Sequence, residues 1–130
     1  MRRRQQQQWI NYRIPMRHSL NEIASRVVAS LPAEELRRVA VYLDPQPLDQ
    51  GATLSIRGSL IPVAAPSVVA FIDLQPSANW AHPCRYLLIN VDDCSISSID
   101  AQFPPTREQL RLIHQGEGVE DWMLLGTQPL

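Results

Sequence analysis

The chain has 130 residues, a formal net charge of -1 and 45% hydrophobic residues. That is one domain's worth of chain with a globular apolar content, which excludes wholesale disorder. No apolar run reaches the roughly 18–20 residues that a membrane-spanning helix needs. All twelve basic residues are arginine, so lysine Schiff bases and lysine-dependent phosphate loops are excluded too.

Charge is unevenly placed. Residues 1–20 hold Arg2, Arg3, Arg4, Arg13 and Arg17 and no acid, a charge of +5. The other seven arginines face thirteen acids, a charge of -6. A basic front therefore precedes an acidic body. Arg2–Arg4 run into Gln5–Gln8, not into an apolar core, so neither a secretory nor a twin-arginine signal is expected. The reading is a cytoplasmic chain whose two cysteines, Cys84 and Cys94, stay free.

Residues 1–17 read as a Gln/Arg-rich arm, and residues 18–130 as a single α+β domain. Within the arm Trp9, Ile10, Tyr12, Ile14 and Met16 are apolar, and Tyr12, Ile14 and Met16 alternate with arginines as a strand would. Ser19-Leu20-Asn21-Glu22 is a capping box. Leu20, Ile23, Ala24, Val27, Val28 and Leu31 follow on one helical face. Pro32 suits the start of a second helix, which Leu36, Val39, Ala40 and Leu43 extend at the same spacing. Asp44-Pro45 ends it.

After a proline-containing loop the period changes to two. Leu54, Ile56 and Leu60 alternate with polar residues, and Gly58 marks a bulge. Val68 to Leu74 is a β-branched apolar run, the pattern of a central strand. Tyr86 to Ile89 reads as another buried strand, and Asp92-Asp93 as the turn after it. The strand from Ser95 to Ala101 carries Ile96 and Ile99 three apart. That spacing requires either a bulge or cover on both faces. Thr106-Arg107-Glu108-Gln109 is a second capping box, opening a helix through Leu110 and Ile113 that Gly116 ends. Val119 to Leu125 reads equally as a strand or a short helix. The expected fold is α+β: a four-stranded antiparallel meander with two N-terminal helices and one C-terminal helix packed on it.

Chemistry-bearing residues concentrate in Trp80-Ala81-His82-Pro83-Cys84. His82 and Cys84 point to one face of an extended chain, but about 6–7 Å apart, too far for a thiol and its base. A Cys84–Cys94 disulfide is incompatible with the hairpin, which holds the two sulfurs about 30 Å apart. Asp92 and Asp93 read as solvated turn residues. No zinc-ligand spacing, phosphate loop or nucleophile elbow occurs, so neither a metal nor another cofactor is expected.

The function these features favour is a small non-enzymatic protein–protein interaction module, an adaptor or subunit of a larger assembly. Trp9, Ile10, Tyr12, Trp122, Met123, Leu124 and Leu125 would be its anchors. Arg2, Arg3 and Arg4 would steer it to an acidic partner, either another protein or a second copy. Two alternatives belong to other classes: a thiol enzyme or small hydrolase using Cys84, and a weak arginine-driven nucleic-acid binder. The acidic body and a pI of about 6.3 disfavour the second. No membrane partner is expected.

Overall fold

The computed structural model describes residues 16–78, 80–105 and 109–125. The first described element is helix α1, Leu20–Ala29, whose capping box forms as expected. The Ser19 hydroxyl accepts from the Glu22 amide at 3.1 Å, and the Glu22 carboxylate accepts from the Ser19 amide at 2.8 Å. Ile23, Ala24 and Val27 are the buried residues of α1.

Helix α2 spans Ala33–Leu36 and stops after one turn, where the sequence predicts a helix to Leu43. The chain instead enters strand β1, Ala40–Leu48. The reason is burial on both sides. Val39 to Leu43 is an unbroken apolar run, so any periodicity can be read from it, and all five residues are buried. Valine and tyrosine favour the pleated form. Pro45 and Pro47 fall where β1 loses register with its neighbour, between Asp44 and Leu48, a place where missing amide donors do no harm.

Strands β2, Thr53–Ile56, and β3, Ser59–Pro62, form a separate hairpin. Gly58, at φ 84°, belongs to its turn, not to a bulge in one longer strand. Strands β4, Ser67–Asp73, β5, Cys84–Asn90, and β6, Ile96–Ala101, lie where the sequence predicts and follow one another as an antiparallel meander. The register from Cys84↔Ala101 to Ile89↔Ile96 is unbroken, so Ile96 and Ile99 face opposite sides of a sheet covered on both. Asp92 and Asp93 sit in the connecting turn, where their amides donate to Asn90 Oδ1 at 2.8 and 3.3 Å. Bonds from Ser95 hold the exposed Asp93 carboxyl below the usual carboxylate range. Both cysteines are free and buried.

Strand β7, Arg111–Gln115, replaces the expected C-terminal helix. It pairs antiparallel with β1. Leu112 meets one core and Ile113 the other, an alternation of two that the Leu110/Ile113 spacing conceals. Thr106, Arg107 and Glu108 of the second capping box lie outside the described residues. A short 3-10 helix, Asp121–Met123, follows.

The fold is therefore α+β, but among the described residues the main sheet has five strands in the order β6-β5-β4-β1-β7, not a four-stranded meander, and there are two α-helices, not three. One face carries α1 over Val41, Leu43, Val68, Ala70, Ile72, Leu87 and Ile89. The other carries the hairpin and the C-terminal segment over Tyr42, Val69, Phe71 and Tyr86. Arg85 joins α2 to the sheet through Glu35, at 3.0 and 3.4 Å. No described helix is long and apolar enough to cross a membrane.

Gly116 is no helix cap. It lies against the chain between the helices and β1, and its amide donates to the Val39 carbonyl at 2.9 Å. A Cβ there would meet the Arg37 carbonyl oxygen at 2.4 Å, whereas one on Gly118 would meet it at 3.5 Å. Gly116→Ala is expected to lower the unfolding free energy by about 1–3 kcal/mol, since backbone must move. Gly118→Ala should change it by less than about 0.5 kcal/mol. Urea melts of both variants check this.

Candidate binding cleft

Strand β4 ends at Asp73, a carboxylate only 2% exposed. The chain then turns, with the Gln75 amide donating to Asp73 Oδ1 at 3.1 Å. It returns through Trp80 and His82 into β5. The His82 amide donates to the Gln102 carbonyl at 2.8 Å, which ties this loop to the chain leaving β6. The His82 ring is buried. Its Nε2 lies 2.8 Å from Asp73 Oδ1, and its Nδ1 bonds the Trp80 carbonyl.

Both ring nitrogens thus face oxygens. Each nitrogen is engaged with an oxygen of the chain. His82 and Asp73 act as a buried lock that fixes the loop to the end of the sheet.

Above this lock opens a cleft of about 680 Å³. Arg57 and Ser55 line it from the hairpin, Tyr86 from the sheet, and Phe103 from the chain after β6. Tyr86 is cross-strand from Phe71, and Phe71 from Tyr42, giving ring centroids 5.2 and 5.9 Å apart. The Tyr86 hydroxyl donates to the Phe103 carbonyl at 2.7 Å. The Arg57 guanidinium lies 5.1 Å from the Phe103 ring centre, a cation–π contact. The Leu125 amide donates to the Tyr42 hydroxyl at 3.0 Å, and burial pushes that phenol upward in pKa.

Two tryptophans stand at this cleft in solvent, Trp80 at 75% and Trp122 at 66% exposure. The Trp122 indole donates to Glu120 at 2.7 Å. Met123, Leu124 and Leu125 also line the cleft, half-buried against the core beneath. Of the anchors read from the sequence, these four come together here. Arg2, Arg3, Arg4, Trp9, Ile10 and Tyr12 lie outside the described residues. Sequence reasoning missed Trp80 and Arg57 as cleft residues, and the Asp73–His82 bond. The signal was there: an acid closing a fully apolar run needs a partner, and a histidine beside Pro83 is nearby.

Cys84 begins β5, paired with Asp73, and is buried at the sheet's edge of the second core. Burial, and then the Asp73 charge, push its thiol up to about 11, though the Phe103 backbone pulls it partly back. Among the described residues no three His, Cys, Asp or Glu side chains gather as metal ligands. Nor does a helix-turn-helix form, because α2 is a single turn. No family model, curated protein or solved structure matches the chain.

Two outcomes follow. His82→Ala should cost about 3–5 kcal/mol in a urea melt, because the Asp73 carboxylate is left buried without its partner. Substituting Trp80 should cost little by comparison. Native Cys84 should react with a thiol reagent slowly at neutral pH, with a rate that climbs only as pH approaches about 11. Urea should restore the ordinary thiol profile. Since the thiol's value is raised by folding, stability should fall as pH rises from the ordinary thiol range through about 11.

Proposed function

We propose that the chain is a small protein–protein interaction module, cytoplasmic and non-enzymatic, serving as an adaptor or subunit of a larger assembly. The observation that carries this reading is the pair of solvent-exposed tryptophans, Trp80 and Trp122, on either part of one cleft. Exposed indoles over a stiff base are the residues that dominate binding energy when a partner covers them. The base here is stiff, since the Tyr42, Phe71 and Tyr86 rings pack against one another across three strands, the first pair stacked and the second tilted. Arg57 adds one fixed positive charge, and Arg2, Arg3 and Arg4 add more from the arm.

The partner is a protein segment that offers apolar side chains to the indoles and an acidic group to the arginines. The arm raises the association rate and makes it salt-dependent. Thiol chemistry gains no support, because His82 has no free nitrogen and Cys84 is held protonated. Neither a nucleic acid nor a membrane is part of this reading.

Panning displayed peptides against the immobilised chain tests the proposal, with Trp80→Ala/Trp122→Ala as the counter-target. Both residues are exposed, so the double variant should fold normally by circular dichroism. Selected peptides should lose about thirtyfold or more in affinity for it, the effect of one lost hot spot. Their association should also slow with salt, and less so once residues 1–8 are removed. Peptides that bind both proteins equally, or no selectable peptide at all, would contradict the cleft's role.

A further inference from the structure

The walls of the tryptophan cleft are rings more than flexible chains. Trp80, Trp122, Tyr86 and Phe103 supply aromatic faces, and Pro76 and Pro105 add two rigid apolar surfaces. Its hydrogen-bonding groups are one-sided. The Trp122 indole already donates to Glu120, and the Tyr86 hydroxyl to the Phe103 carbonyl. Asp73 is the one acidic side chain lining the cleft, and it is buried and bonded to His82. The Ser55 hydroxyl can serve either way. The groups left over are donors. The Trp80 indole N–H meets no acceptor among the described residues. The Arg57 guanidinium has the Phe103 ring beside it and, among the described residues, no ion pair.

An occupant that matches this cleft brings acceptors and few donors. An ordinary peptide segment brings one backbone N–H per residue, and each one covered without a partner costs free energy. A proline run brings carbonyls alone. Its polyproline II form has no internal hydrogen bonds, so the carbonyls project outward, and its rings fit against aromatic walls. It is also ordered before it binds, so it loses little freedom.

We propose that the cleft takes a proline-rich segment in polyproline II form, with an acidic residue beside the prolines. Proline rings pack on Trp80 and Trp122, the Trp80 indole donates to a backbone carbonyl, and Arg57 meets the acid. This rests on the reading of the cleft as a protein-binding surface and narrows the partner to one class. Single-stranded nucleic acid also stacks on indoles, but most of its bases carry donors of their own. The chain beyond residue 20 would also repel it, with seven arginines against thirteen acids.

Titrations of the nitrogen-15-labelled full chain test this through its indole N–H signals. One probe is a capped peptide of one aspartate and eight prolines. Another has leucine and serine in alternation in place of the prolines. The proline peptide should bind at least about tenfold tighter and move the Trp80 indole signal downfield. Trp80→Phe keeps a ring but loses the donor, and should weaken that peptide about five- to tenfold. Arg57→Gln should abolish the advantage that the aspartate gives over prolines alone. Both residues are exposed, so each variant should keep the circular dichroism spectrum. A leucine–serine peptide that binds as tightly and moves both indole signals overturns the proline preference and leaves the protein-binding reading standing. So does a proline peptide whose affinity Trp80→Phe leaves unchanged. A thymidine decamer that moves the signals where neither peptide does overturns both readings. If no probe moves either signal, the proline inference falls, and peptide panning alone decides the role of the cleft.

Discussion

All seven residues of β4 are buried, as are Ala40 to Asp44 of its neighbour β1. A strand enclosed on both faces must be apolar throughout or must pair each polar group it carries. That single demand organises the rest. It sets α1 on one face and the β2–β3 hairpin with the C-terminal segment on the other. It also makes the Asp73–His82 bond necessary, because β4 carries a carboxylate into the interior at its last position. The loop that supplies His82 is the loop that presents Trp80. Burial of the sheet and presentation of the candidate binding surface are therefore one arrangement.

The cleft inherits its rigidity from the same strands. Tyr42, Phe71 and Tyr86 are cross-strand neighbours, and two of the three also use their hydroxyls to tie down segments that follow the strands: Tyr86 holds Phe103, and Tyr42 holds Leu125. A surface built this way loses little freedom when a partner covers it, so more of the contact energy survives as affinity.

The meander from β4 to β6 was legible because its signals are local. β4 and β5 are short apolar runs closed by proline or by turn-forming aspartates, and β6 follows the second turn directly. β1 was not legible. A run buried on both faces shows no alternation, and Val39, just before β1, with Ala40 and Leu43 in it, satisfies a helical spacing by default. β7 was concealed differently. Thr106-Arg107-Glu108-Gln109 carries a helix-start pattern, and Leu110 and Ile113 agree with it, yet Leu110 and Leu112 belong to one core and Ile113 to the other. Long-range pairing with β1 overrode the local preference. At the cleft, Trp122 to Leu125 stood out as an apolar cluster. The pairing of Asp73 with His82 did not, because nine residues separate them and only the turn brings them together.

The most direct test of this architecture is the conformation of Val39–Leu43, read by amide exchange and nuclear Overhauser contacts in solution. A strand held between β4 and β7 predicts very slow exchange there, with cross-strand contacts from Val41 to Ile72 and from Val41 to His114. Sequential amide contacts of a helix continuing from Leu36 through Leu43, without those cross-strand signals, would contradict it.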